Sequence, residues 1–199
     1  MVAKEVIKVY DSFNTYQANF KITTKNKVMT GIAYYKKPGK VRFDFNQPYG
    51  DLLISDGKIL WIVVGRQNLI GKQDLTLRAK DENNRPIFAV MPGKGVEHLF
   101  KKYHYKFDDI NQPKEMEGKK YFVLDLEKIE KIGGYEKMLL YINAENFLIE
   151  KAIAEGSFGT KTTIEFSNVK TNIELEGKLF QYNPPENARI VLNPLVSEE

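Results

Sequence analysis

Residues 31–61 read GIAYYKKPGKVRFDFNQPYGDLLISDGKILW. Val41, Phe43 and Phe45 alternate here with Arg42 and Asp44, the two-residue period of a strand with one apolar face. Downstream, two apolar runs, 51–55 and 59–65, flank Asp56-Gly57, a dipeptide that favours a tight hairpin turn. The stretch therefore reads as consecutive antiparallel strands, and the chain on both sides extends the pattern.

Towards the N-terminus, Tyr16, Ala18, Phe20 and Ile22 alternate with Gln17, Asn19, Lys21 and Thr23. Lys25-Asn26-Lys27 is a turn into a second strand over 28–36. Before these, Val2, Val6, Val9 or Tyr10, and Phe13 recur at helical spacing among Lys4, Glu5 and Lys8, which predicts an amphipathic helix over 2–13. Towards the C-terminus a strand is expected at 67–73. The period then breaks: residues 74–93 carry charge clusters and Arg85–Pro92, and 95–103 place Val96, Leu99, Phe100 and Tyr103 on one helical face. A helical or loop-rich insertion over 74–103 is expected. Strand patterns resume at 103–107, 119–126, 137–143, 147–155 and 160–170, with a short strand from Phe180 to Tyr182 before Pro184-Pro185. About ten short strands at regular spacing suggest a barrel or sandwich. No repeat or linker divides the chain, so residues 1–199 are read as one domain with a tail over 186–199.

Composition narrows the function classes. Thirty basic and 26 acidic residues give a net charge of +4, mostly as interleaved signs, a solvated mixed surface rather than a nucleic-acid footprint. The absence of cysteine removes disulfides and thiolate chemistry. No apolar run approaches the ~20 residues that span a bilayer as a helix. His98 and His104 flank the end of the second helical segment and read as surface residues; no His/Asp/Glu cluster has metal-ligand spacing, and no serine sits in a nucleophile elbow. Gly156-Ser157-Phe158-Gly159-Thr160-Lys161-Thr162 lies between two strands, whereas a phosphate loop needs a helix after it, so it reads as a hairpin turn. A non-catalytic protein without cofactor or metal is expected.

A set of landmarks in order carries a resemblance. Gly31 opens an aromatic strand; Lys37-Pro38, a second aromatic strand, Gln47-Pro48, Ser55-Asp56-Gly57-Lys58 and Leu60-Trp61 follow. Later come Phe122-Val123-Leu124, the hairpin Tyr141 to Ile149, the strand around Ile164-Glu165-Phe166, and Phe180-Gln181-Tyr182-Asn183-Pro184-Pro185. From the first helix to Pro185 the chain resembles the outer-membrane lipoprotein carrier family of the LolA type. The resemblance implies a mainly β, antiparallel, unclosed half β-barrel of about eleven strands, with an N-terminal helix and a helical lid over an apolar cavity. It also implies a monomeric periplasmic carrier, its export leader removed, that binds acylated lipoproteins. Such a carrier takes them from an ATP-driven releasing complex of the inner membrane to an outer-membrane acceptor or the outer membrane itself. A lipid-anchored acceptor, a lipoprotein sensor, a general lipid-binding module and a purely structural β-domain are the alternatives.

The residues expected to line the acyl cavity are Phe20, Ile22, Ile32, Tyr34, Val41, Phe43, Phe45, Trp61, Phe122, Leu124, Leu140, Ile142, Ile164 and Phe166; ordinary core packing is the competing assignment for each. Phe88, Met91, Leu99 and Phe100 are the lid candidates, Met91 having the adaptable side chain that suits variable cargo. Family members often carry an arginine just before the first proline, where it bonds the lid; Lys37 stands there instead and is the latch candidate. Lysine offers a point charge in place of a planar fork. Arg42 alternates onto the opposite face. On this reading Phe43→Glu abolishes cargo uptake while far-UV circular dichroism stays unchanged.

Overall fold

Thr15–Thr23 (β1) pairs antiparallel, residue for residue, with Val28–Lys36 (β2), so that Tyr16 faces Tyr35, Ala18 faces Ala33 and Phe20 faces Gly31. The same alternation continues through Lys40–Gln47 (β3), Leu52–Ser55 (β4), Ile59–Val64 (β5) and Leu69–Asp74 (β6), an antiparallel meander. Before it lies the helix Val2–Asp11 (α1), and after it the helices Pro86–Ala89 (α2) and Lys94–Lys102 (α3). A second meander follows: Tyr103–Phe107 (β7), Lys114–Met116 (β8), Lys119–Lys128 (β9), Lys137–Asn143 (β10), Ile149–Glu155 (β11) and Lys161–Thr171 (β12). Strand β12 pairs back onto β1, which fuses the two meanders into one sheet. Its order is β13-β6-β5-β4-β3-β2-β1-β12-β11-β10-β9-β7, with β8 on β9 and β13 being Arg189–Leu192. The two ends of this path are not joined, so the fold is the unclosed, mainly β half-barrel expected. These relations come from a computed structural model that describes residues 1–76, 86–129, 135–156 and 158–194. The first part of the expected lid insertion (77–85), residues 130–134, Ser157 of the 156–162 turn and the last five tail residues lie outside the described residues.

Among the described residues the sheet has thirteen strands rather than about eleven. Sequence reading missed β8, three residues long, and β13, which pairs parallel to β6 across more than a hundred residues of chain. The expected strand Phe180–Tyr182 is instead the end of a 3-10 turn, Gly177–Phe180, followed by extended chain. Helix α1 stops at Asp11, two residues early, where the Ser12 hydroxyl and N–H both bond the Val9 carbonyl; such a side-chain bond competes with helix continuation.

The described residues after β12, 172–194, form a strap across the outer face. Thr15 Oγ1 on β1 donates to the Ile173 carbonyl, Lys36 Nζ on β2 to Leu175, and Arg42 Nη1 on β3 to Leu179, at 2.6, 2.6 and 2.9 Å. Phe180 is then buried, as is Ile54 of β4 on that face, and Tyr182 lies 5.6 Å from the Trp61 ring of β5. The Asn68 side chain, just before β6, donates to Asn187, and β13 completes the crossing. The tail thus steps over the first six strands in order. Arg42 is on this outer face, as its alternation predicts, and also pairs with Asp44 at 2.9 Å.

One glycine has a packing reason. On β2, Gly31 lies opposite Phe20 and Phe45. A Cβ there would fall 2.0 Å from the Asp44 carbonyl oxygen and 2.8 Å from the Phe20 ring. Gly31→Ala is therefore expected to lower stability by roughly 1–3 kcal/mol through overpacking, read as a lower urea midpoint at unchanged denaturant dependence.

Candidate functional site

Alternation gives the sheet two faces, and α1, α2 and α3 all pack on the same one, the inner face. Phe20 and Ile22 of β1, Phe43 of β3, Leu124 of β9, Leu140 and Ile142 of β10, and Ile164 and Phe166 of β12 are buried there in a single apolar cluster. Val41, Phe45 and Phe122 border it and are partly buried. Register accounts for the grouping: Phe20 opposes Phe166, Ile22 opposes Ile164, and Leu140 opposes Leu124. Phe43 and Phe45 stand edge-on to Phe20, with centroids 5.7 and 5.1 Å from it.

The helices cover this face. Phe88 of α2 meets Phe43 edge to face at 5.4 Å. Met91, Leu99 and Phe100 are buried in the same cluster with Val96, and Phe88 packs against it, so all four expected lid residues lie on the inner face. Gly93 joins α2 to α3 with φ of 81°, and a Cβ on it would fall 2.9 Å from the Tyr35 hydroxyl, so the joint rests directly on β2. Three expected cavity residues point the other way. Ile32 pairs with Asp44, Tyr34 with Arg42, and Trp61 with Ile54 and Lys72, all on the outer face under or beside the strap. Lys37 does not bond α2 or α3 among the described residues. Its Nζ donates to the Asp11 carbonyl, satisfying an orphan acceptor at the C-terminus of α1, where a cation also suits the helix dipole. It ties down the N-terminal helix rather than the expected lid. His98 and His104 are exposed, as expected.

Among the described residues the centre of the inner face is closely covered: Phe43 and Leu140 are 0 % exposed and Met91 and Leu99 2 %. A cavity of about 220 Å³ lies on the outer face, between Asp56, Trp61 and strap residues Phe180 to Asn183, smaller than the ~300 Å³ at which ligand pockets begin. Sequence reading did not select Tyr10, Tyr16 and Tyr35, three tyrosines buried on the inner face; their place two residues from Ala18 or Ala33, or on the buried stripe of α1, was the available signal. The Tyr10 hydroxyl accepts the Ile149 N–H at 3.0 Å. Among the described residues Tyr16 has no hydrogen-bond partner for its hydroxyl. Burial, and secondarily the nearby Tyr10, pushes the Tyr16 phenol pKa well up. Among the described residues no His/Cys/Asp/Glu group is arranged to hold a metal, and no helix is long and apolar enough to cross a membrane.

Comparison with known proteins agrees with this geometry. The family model described as "Outer membrane lipoprotein carrier protein LolA" matches residues 11–183. An outer-membrane lipoprotein carrier protein of Nitrosomonas europaea is 28% identical over 89% of this chain and 82% of its own length. An uncharacterized protein of Methanocaldococcus jannaschii is 27% identical over 96% of this chain, which spans 52% of that longer relative. Among solved structures, an uncharacterized conserved protein of Thermus thermophilus superposes with a TM-score of 0.64 at 12% identity, covering 96% of this chain and 99% of the other, a likeness of fold alone.

The packing corrects the expectation for Phe43→Glu. Phe43 is wholly buried between Phe20 and Phe88, and an unpaired carboxylate there would be strongly penalised. The variant is expected to lose about 3 kcal/mol or more of stability. Denaturant titration followed by far-UV circular dichroism checks this, and an unshifted midpoint contradicts the packing described.

Proposed function

The chain belongs to the LolA family of outer-membrane lipoprotein carriers, and from that premise we propose that it binds the acyl chains of lipoproteins on the inner face and carries them between membranes. One observation carries the reading: the apolar face of an unclosed sheet is covered by short helices, with the Phe88–Phe43 seam at its middle. A lid of rings and aliphatic groups on a face of the same kind can be exchanged for acyl chains with little change in the chemistry of the contacts. The work needs no catalytic group; it needs apolar area. Burying one chain of ~15 methylenes is worth on the order of 12 kcal/mol, so a carrier must offer comparable surface when the helices lift.

In this reading α2 and α3 are the lid, and Phe20, Ile22, Val41, Phe43, Phe45, Phe122, Leu124, Leu140, Ile142, Ile164 and Phe166 form the floor. The protein works in the periplasm as a monomer. It receives cargo from an ATP-driven releasing complex of the inner membrane and delivers it to an outer-membrane acceptor or the membrane itself. A second reading is a lipid-binding module not committed to this route; the observation behind it is that this chain spans only 52% of the M. jannaschii relative, so the same domain occurs within a longer protein.

The experiment is release. Inner-membrane vesicles making labelled lipoproteins are incubated with the purified protein; an ATP-dependent, soluble one-to-one complex is expected. Binding of free acyl probes without such a complex supports the second reading, and binding of neither contradicts both. Phe88→Ala removes an aromatic pair worth about 0.5–1.5 kcal/mol beyond its buried area and so eases lid opening. It is expected to tighten binding of a dansyl-labelled fatty acid by roughly 3–10-fold while lowering the melting temperature.

A further inference from the structure

A buried hydroxyl without a partner has lost its bonds to water and gained none in return, which disfavours the folded state. Tyr16 is such a group. It is 0 % exposed and its hydroxyl has no hydrogen-bond partner among the described residues. Its ring lies among apolar faces: Phe13 at 6.0 Å, Tyr10 at 6.4 Å and Phe166 edge-on at 6.4 Å. The neighbouring Tyr10 is different, since its hydroxyl accepts the Ile149 N–H and so helps seat α1. Tyr16 makes no equivalent contact, and phenylalanine would fill the same volume.

The position of Tyr16 ties it to the lid. It is on the inner face, opposite Tyr35 of the adjacent strand, and Tyr35 is the residue on which Gly93, the joint between α2 and α3, rests. Tyr16 is thus on the strand next to the one on which the joint of the proposed lid rests. Burial keeps the phenol protonated, so it offers one neutral O–H donor in surroundings of rings and aliphatic groups. Apolar sites commonly use a few such polar groups to orient a ligand.

We propose that Tyr16 is the polar anchor of the acyl site, donating a hydrogen bond to the acyl carbonyl oxygen of an ester- or amide-linked chain that takes the place of the lid. The inference rests on the carrier reading and adds to it the part of the cargo that is recognised. The rings around Tyr16 supply no cation, so the fitting acceptor is a neutral carbonyl rather than a free carboxylate. Chain length then sets affinity through apolar area, while Tyr16 sets how far along the face the linkage sits.

The test compares ligands that differ only in the carbonyl. Dioctanoylglycerol and its dioctyl ether analogue displace dansyl-labelled undecanoic acid from the full chain. The wild type is expected to prefer the ester by about tenfold, the size of one hydrogen bond to an otherwise unsatisfied donor. Tyr16→Phe is expected to abolish that preference, leave ether affinity unchanged and melt no lower than the wild type. A diamide analogue reports whether the amide linkage is recognised equally. Independently of the variant's folding, the infrared band of a ¹³C-labelled ester carbonyl bound to the wild type is expected at lower frequency than in an alkane. Equal binding of ester and ether by the wild type, or an ester preference that survives Tyr16→Phe, overturns the anchor and leaves the carrier reading standing. A clearly lower melting temperature for Tyr16→Phe assigns the hydroxyl to a buried water and also overturns it. Failure of the wild type to bind the dansyl probe or either analogue overturns the carrier reading and the anchor together.

Discussion

An unclosed sheet with one apolar face must have that face covered, and the rest of this structure follows from how it is done. A closed barrel covers its interior with its own far wall. Here the path ends at β13 and β7, and the cover is α1, α2 and α3. The seam between Phe88 and Phe43 is where α2, the start of the proposed lid, meets the sheet. The stabilisation is mainly apolar burial, about 25 cal/mol per Å² removed from water, and it is indifferent to whether the covering atoms belong to a helix or to a ligand.

The two faces are held by different physics. On the outer face the strap is fixed by side chains of successive strands, Thr15, Lys36 and Arg42, each donating into a backbone carbonyl of the tail. Such bonds are directional, and breaking them leaves buried polar groups unsatisfied. On the inner face Met91, Val96, Leu99 and Phe100 lie on the sheet through aliphatic and aromatic contacts, which carry no comparable directional penalty on exchange. On the proposed reading, this difference lets one side of a thin sheet change its cover while the other holds the strands in register. Lys37 belongs to the fixed part: by binding the Asp11 carbonyl it secures α1, not α2 or α3.

Strands were legible wherever one face is apolar and the other is not. The alternation around Phe20, Phe43 and Ile164 placed those residues on the inner face, because a one-residue slip would expose them all. Facing was not legible where both faces are apolar. Residues 32–35 read Ile-Ala-Tyr-Tyr and 59–64 read Ile-Leu-Trp-Ile-Val-Val, so period two could not say that Ile32, Tyr34 and Trp61 point outward. The strap supplies the reason: its Phe180 and Tyr182 give β4 and β5 a second apolar partner. β13 escaped notice because four residues pair in parallel with a strand far away in sequence, an arrangement without a local turn signal. Phe180–Tyr182 reads as strand, but its apolar residues plug a surface instead of joining a ladder.

The energetics of a carrier then set a condition that this arrangement meets in form. If the inner face stood open and fixed, each methylene bound would add about 0.8 kcal/mol, and cargo with several long chains would be held too tightly to leave. A lid that must be displaced subtracts its own contacts from that sum. The net affinity becomes a difference between two apolar burials of similar size, so modest changes at the seam shift it by large factors. Polar groups on such a face are costly unless they take part in the exchange, because they are desolvated in both states. Tyr10 satisfies its hydroxyl with the Ile149 N–H, a bond in which no residue of α2 or α3 takes part; on the proposal for Tyr16, whose hydroxyl has no partner among the described residues, the balance favours the open, loaded state if the cargo supplies an acceptor.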